Sequence, residues 1–458
     1  MRFVSTRGDE PDLGFADVLL AGLANDGGLY VPATWPSLPD LDGLVTYADI
    51  AAAVMQPYVG DDLADGVLAE LCRNAYGGFR HPAVVPLVQI ADRHWLLELF
   101  HGPTLAFKDV ALQLVGRMFD HVLEQRGRRI TIVGATSGDT GSAAIDGVRG
   151  CDHVDIVILY PAGRTSEVQR RQMTTVDSPN VHTIAIDGNF DDCQDLVKAM
   201  FGDSAFREEL HLSAVNSINW ARVMAQVVYY VTASRSLAGE PTFCVPTGNF
   251  GNVLSGWIAR EMGAPITDFI VASNSNDILT RLFNDGDMSA RDVVPTLSPS
   301  MDIQVSSNFE RLLFEMNGRD GGITAEQLRL FRSSGRLGIE PDQRRQFVDG
   351  TFRAARFDDD QTIEEIRLVH AETGLLIDPH TATATAAARR TGGEHPIVTL
   401  ATAHPAKFPD AVERATGLRP PLPDHLADLF ERPERTHPSP NDLGAVQAFV
   451  RSVARVVA

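Results

Sequence analysis

A chain of 458 residues with 44% hydrophobic and 22% charged side chains is globular, has ample core and is long enough for two to four domains. Its formal charge of −20 excludes non-specific binding to nucleic acid or to an anionic membrane, since both need a basic surface. The four cysteines, Cys72, Cys151, Cys193 and Cys244, form no CxxC pair, so neither a zinc site nor a disulfide framework is expected. No apolar run approaches the roughly 18 residues of a membrane span, and the N-terminus lacks the apolar core of a secretory signal. A cytoplasmic protein with no membrane or nucleic-acid partner is the expectation.

In chain order, residues 1–80 read as a mostly helical N-terminal domain: a short amphipathic helix from Phe15, a turn at Asp26-Gly27-Gly28, and strand-like Leu29-Tyr30-Val31-Pro32. From about 85 onward, short β-rich runs alternate with helical periodicity. Strands are predicted over 130–134, 154–159, 181–186, 242–245 and 269–271. Helices are predicted after Gly141 and over 167–175, 192–201 and 252–262. Such alternation predicts doubly wound parallel sheets covered on both faces. Residues 419–440 are rich in proline and read as a surface linker, followed by a last helix capped by Asn441 or Asp442 with a stripe of Leu443, Val446, Phe449, Val450 and Val453.

The basic side chains number 40, yet only Lys108, Lys198 and Lys407 are lysines. Arginine fills nearly every basic position, so a lysine kept in Gly102-Pro103-Thr104-Leu105-Ala106-Phe107-Lys108-Asp109 invites a chemical reason. A lysine desolvated by Leu105, Ala106 and Phe107 loses basicity and becomes a usable amine nucleophile. A surviving surface lysine is the plain alternative. Thr136-Ser137-Gly138-Asp139-Thr140-Gly141-Ser142 lies between a strand and a helix, where backbone N–H groups and hydroxyls suit a carboxylate or phosphate. It is no P-loop, because Gly134 and Gly138 are one residue too close and no lysine follows. An ordinary capped βα turn would look similar.

Pro246-Thr247-Gly248-Asn249-Phe250-Gly251-Asn252 again joins a strand to a helix, and its glycines let the backbone curl into a phosphate cradle. Thr402 offers a hydroxyl at a strand's carboxyl end, where ligands of doubly wound sheets bind. His404 more commonly satisfies a local hydrogen bond, and Lys407, next to Phe408-Pro409, reads as structural. In Asn216-Ser217-Ile218-Asn219-Trp220-Ala221-Arg222, Asn and Ser read as helix caps and Arg222 as a solvated charge unless something further enlists them.

Together these motifs, in this order, resemble the longer branch of the threonine synthases, pyridoxal-phosphate enzymes of the tryptophan-synthase-β-like fold. Gly27 to Pro32, Leu297 to Ile303, Asp378-Pro379-His380-Thr381 and Ala403 to Lys407 complete the series, which covers roughly residues 1–415. The resemblance implies an α/β fold of two doubly wound lobes plus the extra N-terminal domain. The catalytic core would be 81–415, with a smaller lobe at about 130–240, and 416–458 would form a linker and helix. It implies that Lys108 carries pyridoxal 5'-phosphate as a Schiff base and later moves protons. Gly248, Asn249, Phe250, Gly251 and Asn252 would hold the cofactor phosphate, and Thr402 would face the pyridine nitrogen. Ser137, Gly138, Asp139 and Thr140 would receive the substrate carboxylate, with Asp139 also beside the cofactor. Asn216, Ser217 and Arg222 would bind the substrate's phosphate.

A carboxylate at Asp139 looks electrostatically misplaced there unless it is protonated or turned to orient its loop. The implied reaction is O-phospho-L-homoserine plus water to L-threonine and phosphate, by γ-elimination and β-addition. The alternatives are a related phospho-amino-acid lyase giving a 2-oxo acid, or a catalytically silent binding homologue.

Overall fold

The computed structural model describes residues 1–136, 138–214 and 217–455. A six-stranded sheet runs in the order Phe352–Arg356, Phe269–Ser273, Thr242–Pro246, Ile397–Ala401, His94–Glu98, Leu87–Ala91. Every neighbouring pair is parallel except the last, which closes one edge antiparallel. Thr242–Pro246, Phe269–Ser273 and Ile397–Ala401 are buried along their whole length, as strands with helices on both faces must be. That is why they read as continuous apolar runs rather than as alternating ones.

A second sheet, parallel throughout, has the order His437–Pro440, Val181–Asp187, Val154–Pro161, Ile130–Ala135, Leu212–Ser213. Its edge strand departs from expectation, because it comes from the proline-rich stretch that reads as a linker. Pro438 and Pro440 cannot donate to a ladder, and an edge strand is where a sheet tolerates them. The following helix, Leu443–Val453, is capped by Asp442, whose carboxylate accepts from the Ala445 amide at 2.8 Å. It seats Val446 and Val450 in one apolar cluster with Cys193, Leu196 and Met200.

The strand Phe3–Ser5 pairs antiparallel with Tyr30–Pro32, and helices Phe15–Ala21, Tyr47–Val59 and Val67–Tyr76 complete the N-terminal segment. Its core is continuous with that of the larger lobe. Phe3 and Tyr58 pack against Trp220 at ring separations of 5.8 and 5.5 Å. Trp220 opens the helix Trp220–Arg235, which packs against Tyr47–Val59, Lys108–Arg126 and Gly251–Glu261. We therefore take the smaller lobe as 130–213 together with the strand and helix from 437, and not as extending to 240. The carboxyl ends of Ile130–Ala135, Thr242–Pro246 and Ile397–Ala401 all reach one cavity between the lobes. Among the described residues, no helix is long and apolar enough to cross a membrane.

Candidate active site

The cavity has a volume of about 670 Å³, and of the residues singled out in the sequence it gathers Lys108, Asp139, Thr140, Ser217, Arg222, Gly248 to Asn252 and Thr402 on its walls. Ser137 and Asn216 lie outside the described residues. Gly138 is not on the wall. Its amide donates to Thr136 Oγ1 at 3.0 Å, and the same oxygen accepts from the Gly141 amide at 3.0 Å. The loop thus consumes part of its own donor set. The first-turn amides of Asp139 and Thr140 have no intrahelical carbonyl to bond, and both residues line the cavity.

Lys108 is the first residue of helix Lys108–Arg126 and only 7% exposed. The turn before it is built by Asp109, whose carboxylate accepts from the Thr104 amide at 2.8 Å and the Thr104 hydroxyl at 2.6 Å. Buried Leu105 and Ala106 precede it, and the Phe107 ring centroid lies 5.2 Å from Nζ. Burial depresses the Lys108 pKa, and the charges of Lys407 and Arg222 push the same way against the opposing pull of Asp139. The amine is therefore easier to deprotonate than an ordinary lysine.

Asp139 has surroundings that suit a carboxylate. Its Oδ1 lies 2.9 Å from Lys407 Nζ and accepts from Gln169 Nε2 at 2.8 Å. Its Oδ2 accepts from the Ser300 hydroxyl at 3.2 Å and from Lys108 Nζ at 3.4 Å. Burial works to raise its pKa, but the cations Lys407 and Lys108, with His380, outweigh that and hold it well below the usual carboxylate range. Lys407 is thus more than a generic structural residue: it is fully buried, and its second contact is the Thr104 carbonyl at 2.8 Å. The scarcity of lysine, visible in the sequence, is a signal that could have found it, but sequence context attaches that signal to Lys108 and leaves Lys407 as structural.

Ser300 and His380 also line the cavity, although no role attaches to them from sequence. His380 Nδ1 is 2.8 Å from Asp378 Oδ1, and its Nε2 accepts from the Ser300 amide at 3.3 Å. His404 stays off the wall. Its Nδ1 accepts from the Ala406 amide at 3.1 Å, the local role expected of it.

The 248–252 loop is tight for a reason other than the one its glycines suggest. Phe250, and neither glycine, takes the left-handed φ of 63°. The ring is held by Phe283, Phe309 and Phe352 at 5.7–6.0 Å between centroids, packing that compensates the backbone strain. The glycines are demanded by close approach: a Cβ on Gly248 would meet the Ser300 carbonyl at 3.0 Å and Met301 Cα at 3.1 Å. Asn252 Oδ1 accepts from the hydroxyls of Tyr229 at 2.5 Å and Tyr230 at 2.9 Å, while its buried Nδ2 has no partner among the described residues. A concave loop at the start of helix Gly251–Glu261, an unpaired buried amide donor and a buried amine in the same cavity fit a phosphorylated aldehyde such as pyridoxal phosphate.

Arg222 contradicts the reading as a solvated charge. It is 4% exposed, its Nε and Nη1 have no hydrogen-bond partner among the described residues, and burial lowers its pKa to about 10. Asn308 and Arg311 tie its surroundings together. Asn308 Nδ2 donates to the Ser217 carbonyl at 3.0 Å and its amide to the Asn249 carbonyl at 3.1 Å. Arg311 donates to the carbonyls of Ile218 at 2.6 Å and Tyr30 at 2.9 Å, linking the N-terminal segment to the cavity wall.

Comparison with known proteins agrees with this geometry. The profile for the threonine synthase N terminus matches residues 2–76, that for pyridoxal-phosphate-dependent enzymes residues 82–337, and that for the threonine synthase C-terminal region residues 381–450. A threonine synthase of Pseudomonas aeruginosa is 55% identical over 98% of both chains. The crystal structure of a pyridoxal-phosphate-bound threonine synthase from Brucella melitensis superposes with a TM-score of 0.97 at 51% identity, covering all of both chains. That of the yeast threonine synthase gives 0.94 at 38% identity, covering 99% of this chain and 98% of the other.

Proposed function

This chain belongs to the threonine synthase family of pyridoxal-phosphate-dependent enzymes, and from that premise we propose that it turns O-phospho-L-homoserine and water into L-threonine and phosphate. The observation that carries the choice of substrate is Arg222, a buried guanidinium with two unpaired donor atoms in the same cavity as the buried Lys108 amine. A buried cation without partners is costly, and a dianionic phosphate is the ligand that offsets that cost best. Four buried free thiols favour a reducing compartment such as the cytoplasm.

In this reading Lys108 Nζ, the Gly248 to Asn252 loop and the Thr402 hydroxyl hold the cofactor's aldehyde, phosphate and ring nitrogen. Bound there, pyridoxal phosphate supplies the electron sink that lets protons leave the carbons beside the substrate nitrogen, and a neutral hydroxyl at the ring nitrogen tempers it. Lys108 takes the proton from Cα and returns it at the end. A proton leaves Cβ and is matched by one gained at Cγ as the Cγ–O bond to phosphate breaks; water then gives its hydroxyl to Cβ and its remaining proton ends on the released phosphate. Arg222 and Ser217 hold the phosphate as it departs, and the amides at Asp139 and Thr140 hold the carboxylate. Because both ends are fixed, the reacting carbons stay within reach of one amine.

Incubating the purified protein with phosphohomoserine and identifying the products tests the reading. Threonine and phosphate in equal amounts are expected. A 2-oxo acid in place of threonine marks an elimination-only lyase, and no product marks a silent binding protein.

A further inference from the structure

Asp139 belongs to the smaller lobe and Lys407 to the larger, and their buried ion pair joins the two lobes behind the cavity wall that Asp139 forms. Its two oxygens are unequally engaged. Oδ1 has the short contacts, Lys407 at 2.9 Å and Gln169 at 2.8 Å, and Oδ2 has the long ones, Ser300 at 3.2 Å and Lys108 at 3.4 Å. Lys407 is itself fixed by the Thr104 carbonyl, which also accepts from Gln172 Nε2 at 3.1 Å. That carbonyl belongs to the turn leading into Lys108.

Resting on the reading of Lys108 as the cofactor lysine, we propose that Lys407 is a positioning residue that serves as the standing partner of Asp139 and so leaves the Lys108 amine free to react. The charged and titratable groups around Lys108 are Asp139 from the smaller lobe, Lys407, His380 and Asp302 from the larger, and Arg222 from helix Trp220–Arg235; the Asp302 carboxyl is engaged by Asn274 and Thr296. Lys198, at the smaller lobe's rim, is exposed and paired with Asp195 at 2.9 Å. Lys108 and Lys407 therefore share one carboxylate, and Arg222 adds a further positive charge to the surroundings of the amine. Were Lys407 absent, Lys108 would be the only lysine within reach of Asp139. Its ammonium would be captured in a tight buried pair, and the amine would be harder to release. Lys407 thus does for Asp139 what Lys108 must not do if it is to stay a nucleophile.

The test follows cofactor loading, in which Lys108 Nζ bonds to the aldehyde carbon and water is lost. Full-length protein stripped of cofactor is mixed with pyridoxal phosphate across a pH series, and the rate of regain of visible absorption is recorded. The rate rises with the fraction of free amine, so the position of the rising limb reports on Lys108. Lys407→Met is expected to move the limb up by about one pH unit, roughly tenfold slower loading at a fixed pH below it. Asp139→Asn should move it down, and the double variant should lie close to wild type.

Lost packing alone would slow loading at every pH without shifting the limb. A limb unmoved in Lys407→Met overturns the proposal. Should that variant not fold, an unmoved or raised limb in Asp139→Asn does so equally. The readout uses no substrate, so it stands or falls apart from the choice of phosphohomoserine. If the loading label itself falls on another lysine, the underlying assignment of Lys108 fails instead.

Discussion

The amide of Phe107 donates to the carbonyl of Thr402 at 2.9 Å, joining the turn that carries Lys108 to the end of strand Ile397–Ala401. The same seam has an isolated bridge between Ala106 and Ala403, and the His404 amide donates to the Leu105 carbonyl at 3.0 Å. Lysine and threonine are therefore tied to one hydrogen-bonded seam, which suits the proposed function, where the two hold opposite ends of one ring a fixed distance apart. Lys108→Ala is expected to abolish turnover and the absorption of lysine-bound cofactor while leaving non-covalent binding. Borohydride reduction followed by peptide mapping should label Lys108; a label on Lys198 or Lys407 would show the assignment to be wrong.

In the proposed function Arg222 sets the choice of substrate. A hydrogen bond to a charged group contributes roughly 1.5–3 kcal/mol, so Arg222→Ala should lower kcat/KM for phosphohomoserine on the order of 10- to 100-fold. Arg222→Lys should recover only part of this, because an ammonium lacks the planar fork. Cofactor affinity should stay nearly constant, since the 248–252 loop is a separate cradle. Kinetics beside a cofactor titration decide it: a loss explained wholly by weaker cofactor binding removes Arg222 from the substrate site.

Gly248 tests the cradle by shape. An added Cβ would press on the Ser300 carbonyl, Met301 Cα and Ile303 Cδ1 at 3.0–3.1 Å, two of them backbone atoms that cannot swing aside. Overpacking of this kind costs about 1–3 kcal/mol, so Gly248→Ala should raise the cofactor Kd roughly 5- to 100-fold. An unchanged Kd would mean that the 298–303 segment yields freely and that the cradle is not rigid.

How much of this was legible beforehand depends on what each residue's signal looks like in one dimension. The buried strands announced themselves as apolar runs, and Lys108 stood out against an arginine background. The strand at His437–Pro440 did not, because its prolines suit an edge and carry no periodicity. Asp139 looked misplaced because its partner lies 268 positions away and only the fold brings Lys407 to it. Arg222 looked solvated because a charge at a helix start usually is. It lies instead on a helix buried from its first turn, whose Trp220 packs against Phe3 and Tyr58 of the N-terminal segment. Phe250 carries a conformation that glycine would ordinarily supply, and only the three rings around it explain why phenylalanine can.

A last prediction concerns acid stability and a residue far from the cavity. His94 opens the strand His94–Glu98, and its Nε2 lies 2.8 Å from Thr399 Oγ1. Burial lowers its pKa to about 4, and the Arg389 charge adds to the effect. The folded state therefore keeps His94 neutral where an unfolded chain, with an ordinary histidine pKa near 6.5, has taken up a proton. The sign follows: this contribution to stability is fully present above about pH 6.5 and is lost as pH falls toward 4. One such group gives a slope of at most about 1.4 kcal/mol per pH unit in that window. His404, lowered to about 4 by burial and then by the His101 charge, adds a second slope of the same sign. His94→Gln keeps an amide near Thr399 but cannot titrate, so its urea midpoint should fall less steeply than wild type between pH 6.5 and 4. Parallel curves for the two proteins would show that His94 takes up its proton equally in both states, contrary to the burial seen here.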